Sequence, residues 1–196
     1  MTVFASPSLQ FVVKGMSSSA ASTKEIKFLA VARRSDKVIV ASYTHKPDPN
    51  YDYVEKVKQV MSSPGWATVT TDRISLEDGG YIFFVLSDQG GRVYIAITSR
   101  SYTSRYIYSN GTSHRGVLTV VQEEVTNRFG DLSLTAGPNA LNGKMAPILK
   151  MLCNEFNDLK GLDKISSVQA KVDQVTGVMK ENMSLALKNN DRCVLV

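Results

Sequence analysis

Cysteine and histidine are scarce in this chain, two of each in 196 residues. Cys153 and Cys193 lie forty positions apart, and His45 and His114 have no nucleophile or ligand partner near them. Neither a disulfide framework nor a metal-ligand spacing can be drawn from so few, which points to a reducing compartment. Long apolar runs are missing too. Nothing approaches the roughly 20 consecutive residues that cross a bilayer. The short patch Leu9–Val13 is interrupted by Gln10 and closed by Lys14, a poor secretory signal. Charge of one sign is nowhere massed: 23 Lys and Arg against 18 Asp and Glu leave a net +5 scattered along the chain. That balance disfavours a nucleic-acid partner while staying compatible with an acidic membrane surface. Gly79-Gly80 and Gly90-Gly91 read as hairpin turns, because no Lys-Ser/Thr follows to make a phosphate loop. No enzyme chemistry, cofactor or metal is expected, and the chain is expected to be cytosolic. In such a compartment Asn110-Gly111-Thr112 and Asn182-Met183-Ser184 match the glycosylation pattern only by chance.

What the chain does have is 43% apolar content, enough for one core. A Ser/Ala-rich stretch, Ser17–Ser22, belongs to a flexible leader over residues 1–24. Two β-branched runs, Ile26–Arg33 and Lys37–Thr44, flank a hairpin signal. A helix follows, with Asp48 and Asn50 as cap candidates and Pro64-Gly65 as its end. Its apolar face is Tyr53, Val54, Val57, Val60 and Met61, at helical spacing. Three strands come next: Thr68–Leu76, Tyr81–Leu86 and Arg92–Thr98, parted by glycine turns. Tyr81–Leu86, apolar throughout, is the expected most buried strand, and the simplest arrangement is an antiparallel meander with a helix after its second strand. Trp66 reads as an edge-of-core residue. Tyr102, Tyr106 and Tyr108 read as decoration of a surface loop. Ser113 is the expected cap of a helix with face Val117, Leu118, Val121, Val125 and Phe129. A last helix carries Leu141, Met145, Ile148, Leu149, Leu152, Phe156 and Leu159, with Pro147 kinking it or marking its start.

After a short linker, 160–164, the chain changes character. Ile165, Val168, Val172, Val175, Met179, Asn182, Ala186, Asn189, Cys193 and Val196 recur at alternating steps of three and four. A mean step of 3.5 is the coiled-coil period, which keeps one helical stripe facing a partner. The flanks (Lys164, Ser167, Gln169, Lys171, Asp173, Gln174, Lys180, Glu181) are polar, so the stripe is narrow and wants another protein or a groove in its own body.

The order of elements, two strands, a helix, three strands, two helices and a heptad helix, resembles a longin-type R-SNARE of the vesicle-associated membrane protein family. The run Val168-Gln169-Ala170-Lys171-Val172-Asp173-Gln174-Val175-Thr176-Gly177-Val178-Met179-Lys180-Glu181-Asn182 is similar to the opening half of the R-SNARE motif. Arg92–Thr98, followed by Arg115 and a helix, resembles the family's last strand and second helix. The resemblance implies an α+β (α/β/α) longin, or profilin-like, domain at 25–159, with a five-stranded antiparallel sheet and three helices. A partial SNARE coiled coil would occupy 165–196. It implies trafficking and membrane fusion at the cytoplasmic face of vesicles or endomembranes, with the tail pairing with syntaxin-like and SNAP-like Q-SNARE helices. Sorting adaptors or tethering factors are further partners in the family. It also implies that the tail can fold back on a groove, placed here at Val54, Val57, Met61, Val69 and Ile74.

The chain departs from the family pattern at the centre of the bundle. Counting layers from Val172, the central Arg position falls on Asn189, which is shorter and uncharged. The seam stops at Val196, and residues 165–196 span only ~48 Å as a helix. Membrane association would come through a missing anchor, or through a lipid on Cys193 in Cys193-Val194-Leu195-Val196, a box of the prenylated type. Val is an unusual last residue for that box, one lipid anchors weakly, and Cys193 also fits the seam as an ordinary small layer residue. The alternative to a fusion protein is a longin-fold adaptor or tethering module, or an inhibitory SNARE that cannot complete fusion.

Overall fold

The computed structural model describes residues 23–64, 66, 72–109, 115–159 and 162, and the backbone of 179–182. In chain order the elements are β1 (Ile26–Arg33), β2 (Ile39–Thr44), α1 (Tyr53–Ser62), β3 (Arg73–Asp78), β4 (Tyr81–Ser87) and β5 (Arg92–Ser99). A 3-10 turn at Ser104–Tyr106 leads to α2 (Val117–Phe129), the single turn α3 (Leu132–Thr135), α4 (Asn142–Asn157) and β6 (Met179–Asn182). The sheet runs β2-β1-β5-β4-β3-β6. Its first five strands pair antiparallel, and β6 joins β3 in parallel. The α+β class and the five-stranded antiparallel sheet are as the sequence predicts.

Period-two alternation divides the core between the two faces of the sheet. Phe28, Ala30, Phe83, Val85, Ile95 and Ile97 pack with Tyr53, Val57, Val60 and Met61 of α1. The alternate residues Leu29, Val31, Phe84, Tyr94 and Ala96 pack with Leu118, Val121 and Val125 of α2 and Met145, Leu149, Leu152 and Phe156 of α4. The five strands are not one meander. A β1–β2 hairpin and a β3–β4–β5 meander are joined where β1 pairs with β5, and α1 carries the chain from one edge to the other. The most buried strand is therefore β5, buried along its whole length, rather than Tyr81–Leu86. Tyr81 and Ile82 are only partly buried at the start of β4.

Where β1 and β5 meet, Arg33 lies opposite Arg92, and both are 8% exposed. Like charges facing across a sheet repel, so each guanidinium needs partners. Arg33 pairs with Asp36 at 2.5 Å and donates to the Ala136 carbonyl. Arg92 donates to Ser133 Oγ at 2.7 Å and the Gly130 carbonyl at 2.9 Å, and lies 3.3 Å from Asp88. Together the two arginines pin the α2–α4 connection to the end of the sheet.

Several local expectations are corrected. The cap of α1 is Asp52, whose side chain accepts the Glu55 N–H at 3.0 Å. Asp48 instead closes the preceding turn by accepting the Asn50 N–H at 2.9 Å. The cap position of α2 is Gly116, and Ser113 lies outside the described residues. A Cβ at Gly116 would come within 2.3 Å of the Tyr108 backbone and 2.5 Å of Ile107, so only glycine lets the helix start there. Pro147 lies inside α4 rather than at its start. Tyr102, Tyr106 and Tyr108 are buried at 3–4% exposure, not displayed. The connection that carries them crosses the sheet face beneath α2 and α4, where a phenol can bury its ring and give its hydroxyl to a carbonyl. Tyr102 does so with Phe156, at 2.7 Å. Trp66 is buried among the α1-side residues.

The two margins of the five-stranded core differ. At β2 the loop before α4 fills the edge: Asn139 N–H donates to Ile39 O at 2.9 Å, and Leu141 N–H to Val40 O at 3.1 Å. Asn142 Oδ1 accepts the Ser42 N–H at 2.8 Å. At β3, among the described residues, the backbone is met by β6.

Candidate functional site

The β3 margin and α1 build the candidate site. Asp52 starts α1 so that Val57, Val60 and Met61 turn onto the sheet, while Val54 is only partly buried. Ile74 and Leu76 of β3 belong to the same apolar cluster as Val57 and Met61, and Val54 packs against it. Val69 lies outside the described residues. Val57, Met61 and Ile74 form the core under the margin, at 1%, 0% and 4% exposure, rather than the walls of an open groove. A shallow dimple beside them, with no room for a water, is lined by Val57, Met61, Trp66, Phe83 and Val85. The Trp66 indole N–H is buried there without a hydrogen-bond partner, and the Arg34 guanidinium sits 5.9 Å from the ring centre.

Tyr108 fixes the position of β3. Its hydroxyl lies 2.8 Å from the Ile74 carbonyl and 3.0 Å from that of Val85, and accepts the Val85 N–H at 3.2 Å. Burial pushes the phenol's pKa up, which keeps the proton available for donation. The Arg73 guanidinium covers the ring at 5.3 Å. Sequence reasoning missed this residue, because a tyrosine-rich stretch between polar residues carries no period that marks it as core.

At the far end of β3, Tyr51 donates to Asp78 at 2.6 Å, and Lys56 approaches the same carboxylate at 3.0 Å. Burial raises the Asp78 pKa, but the Tyr51 and Lys56 contacts outweigh it and hold the carboxyl below its ordinary value. Tyr81 donates to Asp48 in the same cluster, and the Tyr51 and Tyr81 rings stand 4.4 Å apart. The network locks α1 to the β3–β4 turn.

Against this margin lies β6, with Ile74 opposite Met179, Ser75 opposite Lys180, Leu76 opposite Glu181 and Glu77 opposite Asn182. The helix expected at Met179 and Asn182 is corrected here to a strand. The physical reason is competition for backbone partners. An isolated narrow-stripe helix is marginal in water, while an open sheet edge offers a row of unpaired N–H and C=O groups. The other expected seam residues, Ile165, Val168, Val172, Val175, Ala186, Asn189, Cys193 and Val196, lie outside the described residues.

The arrangement offers backbone groups for recognition along β3. Among the described residues no three His, Cys, Asp or Glu side chains are grouped to hold a metal. Cys153 is a buried free thiol, pushed by burial up to about 12, and its Sγ lies 3.5 Å from the Ile26 carbonyl. Among the described residues no helix is long and apolar enough to cross a membrane.

The sheet and helices are those of a longin-type domain. No family model matches the chain. Vesicle-associated membrane protein 7 of Homo sapiens and of Bos taurus are each 23% identical to it over 145 residues, covering 74% of this chain and 61% of theirs. The Gallus gallus protein of the same name is 20% identical over the same length. The chain is thus a distant relative of these proteins and matches about three-fifths of their length.

Proposed function

We propose that this chain is an R-SNARE-like trafficking protein whose longin domain restrains its own tail by strand addition. The carrying observation is β6 on the β3 margin, because those residues fall inside the segment that resembles the R-SNARE motif. Adding a strand to a sheet edge takes its affinity from main-chain hydrogen bonds. Met179 falls opposite Ile74, a member of the core that α1 covers, which supports a pairing on the α1 side of the β3 margin. Distant relationship to vesicle-associated proteins supports the same reading.

In this reading the closed chain holds residues 179–182 as a strand. On release, the seam from Ile165 to Val196 becomes helical and packs with syntaxin-like and SNAP-like Q-SNARE helices. Apolar burial at ~25 cal/mol per Å² drives that assembly. The exposed parts of the domain, at a vesicle or endomembrane surface, receive sorting adaptors or tethers. Membrane association comes through an anchor or through a lipid on Cys193.

Two measurements test the proposal. Successive N–H groups of a strand face opposite sides, so one of Lys180→Pro and Glu181→Pro removes a ladder N–H, and in that variant amide exchange in β3 should rise while β4 and β5 stay protected. Unchanged β3 exchange would refute the closed form. Capture of the full chain by soluble Q-SNARE helices should be lost when residues 165–196 are removed. Capture that survives the removal would favour an adaptor or tethering module instead.

A further inference from the structure

Of the prolines in the chain, only Pro7 and Pro64 follow a hydroxyl residue, in Ser6-Pro7 and Ser63-Pro64. Ser-Pro is the unit that proline-directed serine/threonine kinases read, and the proline disfavours a helical backbone at the serine before it. Ser6 lies outside the described residues, whereas Ser63 stands at the end of α1. Its backbone is extended, with φ −66° and ψ 145°, and α1 stops there. Ser63 is half-buried between Ser62 and Pro64, which are both exposed. Its hydroxyl donates to the Val60 carbonyl at 2.7 Å, and its N–H donates to the same carbonyl at 3.1 Å.

This cap works by donation, which makes it sensitive to charge. A phosphate on Ser63 Oγ removes the donated proton and adds about −1.5 to −2 charges at neutral pH. It would stand at the C-terminal end of α1, where the free carbonyls already form the negative pole of the helix. The last turn holds no basic residue to offset it. On the far side, among the described residues, Pro64 has no N–H and the Trp66 N–H is already given to the Ser63 carbonyl at 3.1 Å. Val60 and Met61 of that last turn are 5% and 0% exposed and share one apolar cluster with Trp66 and Ile74.

We propose that Ser63 is a phosphorylation site for a proline-directed kinase, and that its phosphate loosens the last turn of α1 from the sheet. In the transfer, Ser63 Oγ bonds to the γ-phosphorus of ATP, the bond from that phosphorus to ADP breaks, and the hydroxyl proton passes to the kinase's base. The loosened turn uncovers the α1 side of the sheet beside β3. None of this rests on the SNARE reading, and the test does not involve the tail.

Trp66 is the single tryptophan of the chain, so its fluorescence reports this turn. The full chain carrying Ser6→Ala is incubated, folded, with ATP and a mitogen-activated protein kinase, and modified residues are mapped by mass spectrometry. Ser63 should be phosphorylated, and either Pro64→Ala or Ser63→Ala should abolish the incorporation. In the phosphorylated chain Trp66 emission should shift to the red. The Val60 and Met61 amides should exchange faster, with those of β5 unchanged. Ser63→Ala loses the hydroxyl without gaining charge and should shift the emission less. Incorporation at Ser63 only after unfolding overturns the proposal, as does incorporation that survives Pro64→Ala. Emission that stays in place or moves to the blue overturns the loosening. That outcome would assign the phosphate to a clamp with Arg34, whose guanidinium lies 5.9 Å from the indole ring centre.

Discussion

Tyr108 shows how much one hydroxyl can hold in this fold. It donates between the Ile74 and Val85 carbonyls and accepts the Val85 N–H, all in a site where the residue is 4% exposed. Phenylalanine would keep the ring and its edge-on contact with Phe84, 6.0 Å between centroids. It would leave the buried backbone groups short of a partner, a loss of about 1–3 kcal/mol. Tyr108→Phe should therefore lower the urea midpoint with little change in slope, and β3 amides should exchange faster than those of β5. Equal loss of protection in both strands would show that the hydroxyl stabilises the whole sheet and not this margin.

At the scale of elements, α2 depends on a contact that no side chain makes. Its first turn rests on the Ile107–Tyr108 backbone, with Leu118 N–H donating to the Ile107 carbonyl at 3.0 Å. Gly116→Ala places a methyl against that backbone, and backbone cannot yield as a side chain can. The substitution should destabilise the domain by about 1–3 kcal/mol, the range for overpacking, measured by thermal or urea unfolding. Tyr108 and Tyr102 should then report the displacement in their fluorescence. Elements of this kind mark the limit of what the sequence could say. Runs such as Ile26–Arg33 and the Val57–Met61 face announce themselves by period, because burial on one side imposes it. Gly116 and the tyrosines act through neighbours distant in sequence, and no local pattern encodes them. The seam was legible as a repeat, but its state at Met179–Asn182 was not. Helix or strand there depends on whether a helix or a sheet edge is nearby, which is tertiary information. Val57, Met61 and Ile74, expected to line a groove, are legible only as apolar positions, because core and docking residues share one pattern.

The molecule as a whole is tied at its entry by Glu25. Lys27 lies 2.7 Å from one carboxylate oxygen and Lys46 2.5 Å from the other, joining the start of β1 to the end of β2. Burial raises the carboxyl's pKa, but the two lysines outweigh it and bring it from 4.5 to about 2. A depressed folded-state value means stability that is fully present above about pH 4.5 and is lost as pH falls towards 2. The urea midpoint should decline over that window, and Glu25→Gln should flatten the decline. A decline of the same steepness in both proteins would assign acid sensitivity elsewhere. Among the described residues the same molecule has one margin filled by its own loop at Ile39, Val40 and Ser42 and one met by a short strand. A sheet with two bare edges can polymerise, each copy passing a free edge to the next. With a single bare edge, growth stops at the first encounter. Should β6 let go, two copies can meet β3 to β3 about a two-fold axis, and the pair then has no further edge to offer. The sealed side at β2 thus sets the worst outcome of an open tail at a dimer rather than a fibre.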